Sequence, residues 1–336
     1  MDARTAAFEL IRMVNEYRVS QAISVAAMLG IADHIKDGKR SAAELAGLTD
    51  THPRALYRLL RALAAVGIFH EGKDGRFSLT PLGGALRSDA EPSAAAWATF
   101  VGRPYYRQAW SELLHSVQTG ENAFRKTHGK GVWDYRIEHP EESAIFDRAM
   151  GAFSRGVAAD ILAAYDFSPF TEIMDVGGGR GFLLAEILAA TPGSRGILFD
   201  QPHVVATARE LMDAAGLAGR CKIVAGDFLA ALPVGSDAIL LKWILHDWDD
   251  DTNVALLRNC RRVIRADGRL LVLEAVLSPP NEGADAKFFD LNMLVGPDGQ
   301  ERTAEEYRSL LAKADFEVTD IIQAGPHISI VEARPR

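Results

Sequence analysis

Five apolar runs in this 336-residue chain end on side chains that carry charge or exchange protons. Ile173-Met174 runs into Asp175, and Gly196-Ile-Leu-Phe199 into Asp200. Lys222-Ile-Val-Ala225 leads to Gly226 and Asp227, Ala238-Ile-Leu-Leu241 to Lys242 and soon His246, and Leu270-Leu-Val-Leu273 to Glu274. Such runs, alternating with helical patterns from about residue 166 onward, predict a parallel sheet with helices on both faces. The ligand crevice of such a sheet lies beyond the carboxyl ends of its strands. One acid there serves readily as a helix cap. Five polar ends together make a site.

The first of these ends opens a glycine loop, Asp175-Val-Gly-Gly-Gly-Arg-Gly181, followed by the helical run Phe182-Leu-Leu-Ala-Glu-Ile-Leu188. Dinucleotide loops read G-x-G-x-x-G and cradle a pyrophosphate with their amides and a helix N-terminus. Here Gly177, Gly179 and Gly181 are spaced G-x-G-x-G, and Phe182 stands where the third glycine would fall. Asp175, two residues before Gly177, would repel phosphate and attract a cation. The loop therefore suits a ligand with a ribose and a positive centre. Asp200, at the end of the next strand, is placed to accept from both ribose hydroxyls.

The rest of the chain has to position that crevice. Its length allows two domains, and 48% hydrophobic with 24% charged residues is ordinary for a globular protein. No apolar run approaches the roughly eighteen residues of a membrane span, and Met1-Asp-Ala-Arg lacks a signal-peptide pattern. Cys221 and Cys260 show no metal-type spacing, and reduced thiols in the cytoplasm are expected. The net charge of -8 argues against a general polyanion binder.

Residues 1–100 read as a mainly helical winged helix. Ser41-Ala-Ala-Glu44 has the capping-box form, and Thr51-His-Pro-Arg opens a helix stopped by Gly67. Ile68-Phe-His-Glu71 and Arg76-Phe-Ser-Leu-Thr80 pair across the turn Gly72-Lys-Asp-Gly75. Arg54, Arg58 and Arg61 on the second helix invite a nucleic-acid reading. Residues 1–100 carry 12 Lys+Arg against 11 Asp+Glu, however, which is far from the basic balance of a DNA reader. The small apolar helix around Gln21–Gly30 wants a partner surface, so a dimer is expected and no nucleic acid. Residues 101–165 read as a helical linker rich in aromatics. Most are core, while a subset, Trp110 and Phe124 among them, is expected to line an apolar pocket for a flat ligand.

The motif Asp175-Val-Gly-Gly-Gly-Arg-Gly181 resembles motif I of the class I S-adenosylmethionine-dependent methyltransferases. Phe199-Asp-Gln-Pro-His203, Gly226-Asp-Phe228, Lys242-Trp-Ile-Leu-His-Asp-Trp-Asp-Asp250 and Gly299-Gln-Glu-Arg-Thr303 follow in order. Together they resemble the small-molecule O-methyltransferases of the caffeate and hydroxyindole type, whose bacterial members act on phenolic and polyketide metabolites. The resemblance covers essentially the whole chain. It implies a doubly wound, Rossmann-like α/β domain over residues 166–336 and an N-terminal winged helix used for dimerisation. It implies that Asp175, Gly177, Gly179, Asp200 and Gln201 hold the amino-acid end and ribose of S-adenosylmethionine. Gly226, Asp227 and Phe228 would flank the adenine, with Trp248 stacking on it and Lys242 nearby. His246 matches the family's catalytic base, and Glu274 and Glu301 match the two acids flanking it. Met150, Phe153 and Met293 match pocket positions. Asp147 stands where the family usually has asparagine, and the segment between Met293 and Gly299 is short relative to plant relatives, two departures that bear on the acceptor.

A neutral phenol, with a pKa of about 10, is a poor nucleophile toward a sulfonium methyl. Histidine can take the proton as the carbon–oxygen bond forms, typically for roughly 10²–10⁴-fold. A carboxylate on its other ring nitrogen fixes the tautomer, and either Glu274 or Glu301 can supply it. No metal is required by this chemistry. Two other readings remain: a winged-helix regulator that senses the cofactor, and a relative that keeps the cofactor but performs another reaction, such as hydroxylation. The intact set of His246, Glu274 and Glu301 favours methyl transfer to a hydroxyl of an aromatic small molecule.

Overall fold

The computed structural model describes residues 1–336. The chain divides into two compact units, one of residues 1–107 and 139–156, the other of residues 108–138 and 157–336. The expected linker over 101–165 is thus shared between them, and helix Pro140–Ala164 contributes to both.

In the first unit, the capping box at Ser41 forms as its sequence predicts, with the Ser41 hydroxyl accepting from Glu44 N–H and Glu44 accepting from Ser41 N–H. Helix Pro53–Ala65 is capped by His52, whose ring nitrogen accepts from Ala55 N–H. Its apolar residues recur at Leu56, Leu60 and Leu63, so one face is buried and Arg54, Arg58 and Arg61 are left outside. Strands β1 (Arg40–Ser41), β2 (Phe69–Glu71) and β3 (Arg76–Leu79) form a small antiparallel sheet in the order β1-β3-β2. The two-residue β1 was too short for its sequence to announce. Ile31, Leu45, Leu60, Phe69 and Phe77 form the core of this unit. The first helix, Ala3–Asn15, buries no residue at all.

The second unit is built on a seven-stranded sheet. Its strands are β4 (Glu172–Val176), β5 (Arg195–Asp200), β6 (Cys221–Ala225), β7 (Ala238–Lys242), β8 (Arg269–Glu274), β9 (Phe316–Gly325) and β10 (Ile328–Pro335). The order is β6-β5-β4-β7-β8-β10-β9. The first five are parallel, and the C-terminal hairpin of β9 and β10 adds antiparallel against β8. Successive residues of a strand point to opposite faces. Met174 and Val176 therefore enter a core with Leu256, Cys260 and Leu310, while Ile173 enters another with Leu183, Leu184 and Ile161. Both faces are covered, which is why these strands read as unbroken apolar runs. The strand order reverses at β4, with β5 on one side and β7 on the other, and that switch point opens the crevice. No helix is long and apolar enough to cross a membrane.

Candidate active site

The glycine loop leaves β4 with three left-handed residues, Gly177, Gly179 and Gly181, at φ of 68°, 62° and 84°. An L side chain rarely adopts such angles. Space excludes one as well: a Cβ on Gly177 would stand 2.3 Å from Ile244 Cδ1, and one on Gly178 2.5 Å from Asp175 Oδ2. The amides of Gly177 and Gly178 both point at the Phe199 carbonyl, at 2.8 and 3.4 Å, tying the loop to the end of β5. Asp200, at that end, accepts from Gly179 N–H at 2.8 Å and from Gln201 N–H at 2.6 Å. The carboxylate expected to meet ribose is therefore already aimed into the loop, with lone pairs to spare.

Asp175 is fully buried, and neither of its carboxylate oxygens has a hydrogen-bond partner. Burial pushes its carboxyl up to about 7, a rise that Lys242 opposes and Asp200 reinforces. Lys242 is pushed down to about 8 by burial, against the pull of Asp175. A buried acid with no hydrogen-bond partner, under a loop of glycines, is an environment that suits a ligand cation. Asp175 fits the ammonium of S-adenosylmethionine's amino-acid end.

The turn after β6 supplies the next wall. A Cβ on Gly226 would lie 2.6 Å from the Phe199 ring, so glycine lets this turn close onto β5. Asp227 accepts from Leu229 N–H, and Asn259 donates to the carbonyls of Phe228 and Leu229 at 2.8 and 3.0 Å. Phe228 meets Trp248 edge to face at 6.0 Å, and Trp248 stacks on Trp133 at 6.4 Å. The two aromatics expected beside an adenine thus stand together.

His246 sits on a single 3₁₀ turn, Leu245–Asp247, and is 5% exposed. The chain reaches that turn through Trp243 in the left-handed region at φ 53°, a strained angle for a bulky residue. Glu301 Oε1 lies 2.7 Å from His246 Nδ1. The alternative left open by the sequence is thereby resolved in geometry: Glu301 is on the ring. Glu274 does not flank the imidazole but lies under the backbone of the turn. Its Oε1 accepts from the amides of Ile244, Leu245 and His246 at 3.0, 2.6 and 3.2 Å, and Tyr307 donates to Oε2 at 2.6 Å. A charge at the end of an apolar strand needs partners, and three amides with a phenol satisfy it.

Nε2, the other ring nitrogen, lies 3.7 Å from Asp247 Oδ1, and the Phe289 ring lies near-parallel to the imidazole at 6.2 Å. Burial by itself would lower the pKa of His246. Glu301, Asp247 and Glu274 outweigh it and raise the imidazole to about 10. Asp247 is raised to about 6 by burial, against the pull of His246 and Arg136. A Cβ on Gly299 would be 1.9 Å from the His246 carbonyl oxygen, so the segment bearing Glu301 approaches the turn where no side chain fits.

The expected pocket residues divide. Trp110 donates from its indole N–H to Asn292 at 3.2 Å, and Met293 is buried on the same helix, Ala284–Val295, that carries Phe289. Phe124 is buried between His128 and Tyr135, with ring centroids at 4.4 and 5.5 Å, a core position. Met150 and Phe153 belong to the first unit, where Phe153 packs on Trp97 at 5.3 Å. Asp247, Asn253, Phe289, Arg302 and Tyr307 were not singled out from sequence. Asp247 and Arg302 adjoin His246 and Glu301 within the quoted motifs, whereas Tyr307 reads as an ordinary core aromatic of a helix. No cluster of three or more His, Cys, Asp or Glu side chains is arranged to hold a metal ion.

Residues 110–317 match the O-methyltransferase domain, and residues 11–89 match the O-methyltransferase dimerisation domain. The chain is 43% identical to the phenazine O-methyltransferase PhzM of Lysobacter antibioticus, over 97% of this chain and 95% of that one. The solved structure of LaPhzM superposes with a TM-score of 0.94 at 42% identity, covering 98% and 99% of the two chains. A second solved structure, the O-methyltransferase NcsB1 from neocarzinostatin biosynthesis, was determined with S-adenosyl-L-homocysteine and 1,4-dihydroxy-2-naphthoic acid. It matches with a TM-score of 0.83 at 35% identity over 97% of this chain and 98% of that one. The chain belongs to the S-adenosylmethionine-dependent O-methyltransferases, and carries the family's dimerisation domain at its N-terminus.

Proposed function

We propose that this enzyme methylates a hydroxyl group of an aromatic small molecule, with His246 as the general base, and that it works as a homodimer. The observation that carries the chemistry is the 2.7 Å contact between Glu301 and His246 Nδ1. With the Nδ1 proton donated to a carboxylate, Nε2 is the nitrogen that faces an acceptor hydroxyl. S-adenosylmethionine supplies, when bound, an electrophilic methyl carbon on a sulfonium. Asp175, Gly177, Gly179, Asp200 and Gln201 are the residues to hold its charged end and ribose, and Asp227, Phe228, Lys242 and Trp248 those to enclose its base.

The imidazole's pKa, raised to about 10, comes close to that of a phenol. At neutral pH an imidazole raised to about 10 carries its proton, so His246 accepts from a neutral phenol only in its neutral form, and turnover of an ordinary phenol should rise with pH toward about 10. An acceptor that enters already ionised meets an imidazolium instead, and the same number of protons is present either way. Trp110 and Phe289, both only partly buried, offer apolar surface suited to a flat ring, in keeping with the 1,4-dihydroxy-2-naphthoic acid bound by NcsB1.

His246→Gln tests this reading. Turnover of an ordinary phenol is expected to fall on the order of 10²-fold or more, while calorimetric affinity for S-adenosylhomocysteine stays nearly unchanged. A phenol acidic enough to be ionised at neutral pH should lose far less. Near wild-type turnover of an ordinary phenol in the variant would mean that positioning alone drives transfer.

A further inference from the structure

The His246 turn is held from both electrical ends. Its amides rest on the Glu274 carboxylate, and its carbonyls are taken by two side chains from different elements. Arg302 is 1% exposed, and its guanidinium donates to the Leu245 carbonyl at 3.1 Å and the Trp248 carbonyl at 3.3 Å. Asn253, fully buried on helix Asp250–Val263, donates to the same two carbonyls at 2.7 and 3.0 Å. Those carbonyls bracket His246. Arg302 is also the chain neighbour of Glu301, and its own carbonyl is bound by Leu277 N–H at 2.9 Å.

We propose that Arg302 and Asn253 are positioning residues that set the register of His246 against Glu301 by gripping the backbone on either side of the imidazole. The physical reason is leverage. A planar guanidinium presents donors in a fixed fork, so spanning two carbonyls fixes the orientation of the turn as well as its distance. Arg302 is one peptide from the carboxylate that must meet Nδ1, so a single rigid group references both members of the pair. Its outer nitrogen is itself held by Asp250 at 3.0 Å, which keeps the fork from rotating away. Asn253 makes the same grip without charge from the opposite element, so the two back each other up.

This inference rests on the reading of His246 as the base, but its test needs no turnover. The full-length protein would be labelled with ¹³C-histidine, the His246 signal assigned by its loss in His246→Gln, and the imidazole titrated by NMR. Glu301 and Asp247 lie beside the ring and Glu274 beneath the backbone of its turn, and none of the three acids is substituted in any variant. Removing the Arg302 cation raises the pKa of a nearby imidazole by Coulomb's law, whereas loosening the Nδ1 contact to Glu301 lowers it. The two mechanisms move the signal in opposite directions. For Arg302→Met and Asn253→Ala we expect a fall of about one unit or more toward the ordinary value of about 6.5. Arg302→Lys, which keeps the charge but not the fork, should fall between. Turnover should drop roughly tenfold or more in the first two, as misplacement of a reacting group does. An unmoved imidazole pKa in Asn253→Ala, or a rise in Arg302→Met, overturns the proposal. If Arg302→Met does not fold, the neutral Asn253→Ala decides alone. Failure of His246→Gln to slow turnover would sink the base assignment and leave this titration result standing.

Discussion

Asp175 shows how a single residue sets stability against binding. Its carboxyl is about 7 in the fold and near 3.8 when exposed, so between those values the folded protein keeps a proton that the unfolded chain has released. Stability therefore falls as pH rises through that window, and the whole penalty is present above about 7. Asp175→Asn, which mimics the protonated acid, should match wild type near pH 4 and melt higher at pH 8. A gain on the order of a few degrees is expected for the empty protein. The same variant should bind S-adenosylmethionine more weakly, because the anion that answers the ligand's positive charge is gone. Equal melting temperatures at pH 8, or unchanged cofactor affinity, would show that this acid is not held in reserve for a cation. The pairing of Asp175 with the loop was legible in sequence because an acid before glycines is a local pattern. The placement of Glu301 on the ring was not, since 55 residues separate it from His246 and only the fold brings the two together.

At the level of elements, the active turn is a meeting of three segments that no local pattern predicts. The strand ends at Asp175, Asp200, Lys242 and Glu274 could be read because apolar runs stop abruptly there, and a sheet buried on both faces leaves few other reasons for such runs. What lay outside that reading was antiparallel or nonlocal: strand β1, two residues long, and the β9–β10 hairpin that covers the far edge of β8. Gly299 marks where the Glu301 segment presses onto the His246 turn. A methyl group there would sit 1.9 Å from a backbone oxygen, which cannot swing aside as a side chain would. Gly299→Ala should therefore cost about 1–3 kcal/mol in stability, the usual range for overpacking, and depress turnover along with it. Denaturant unfolding measures the first and an initial-rate assay the second. A variant as stable and as active as wild type would mean the two segments have slack between them.

At the scale of the whole molecule, the first helix is exposed in a way a solitary chain does not explain. Phe8, Leu10, Ile11, Met13 and Val14 are each more than half exposed on a helix that buries nothing. A contiguous apolar surface of this kind marks an interface, and the match to the dimerisation domain begins within it, at residue 11. Removing residues 1–17 should shift light scattering from dimer toward monomer or aggregate. An intact dimer after truncation would place the contact elsewhere in the first unit. The claim on which the rest depends is transfer of a methyl group to an aromatic oxygen. It is tested most directly by incubating the enzyme with ¹³C-methyl-labelled S-adenosylmethionine and a panel of phenols, naphthols and polyketide-like quinols, and reading products by mass and carbon NMR. The account predicts that one or more acceptors gain a single labelled methyl group with the chemical shift of an aryl methoxyl, at a rate that collapses in His246→Gln. A label found on carbon or nitrogen alone, or a product that gains oxygen without the label, would contradict it.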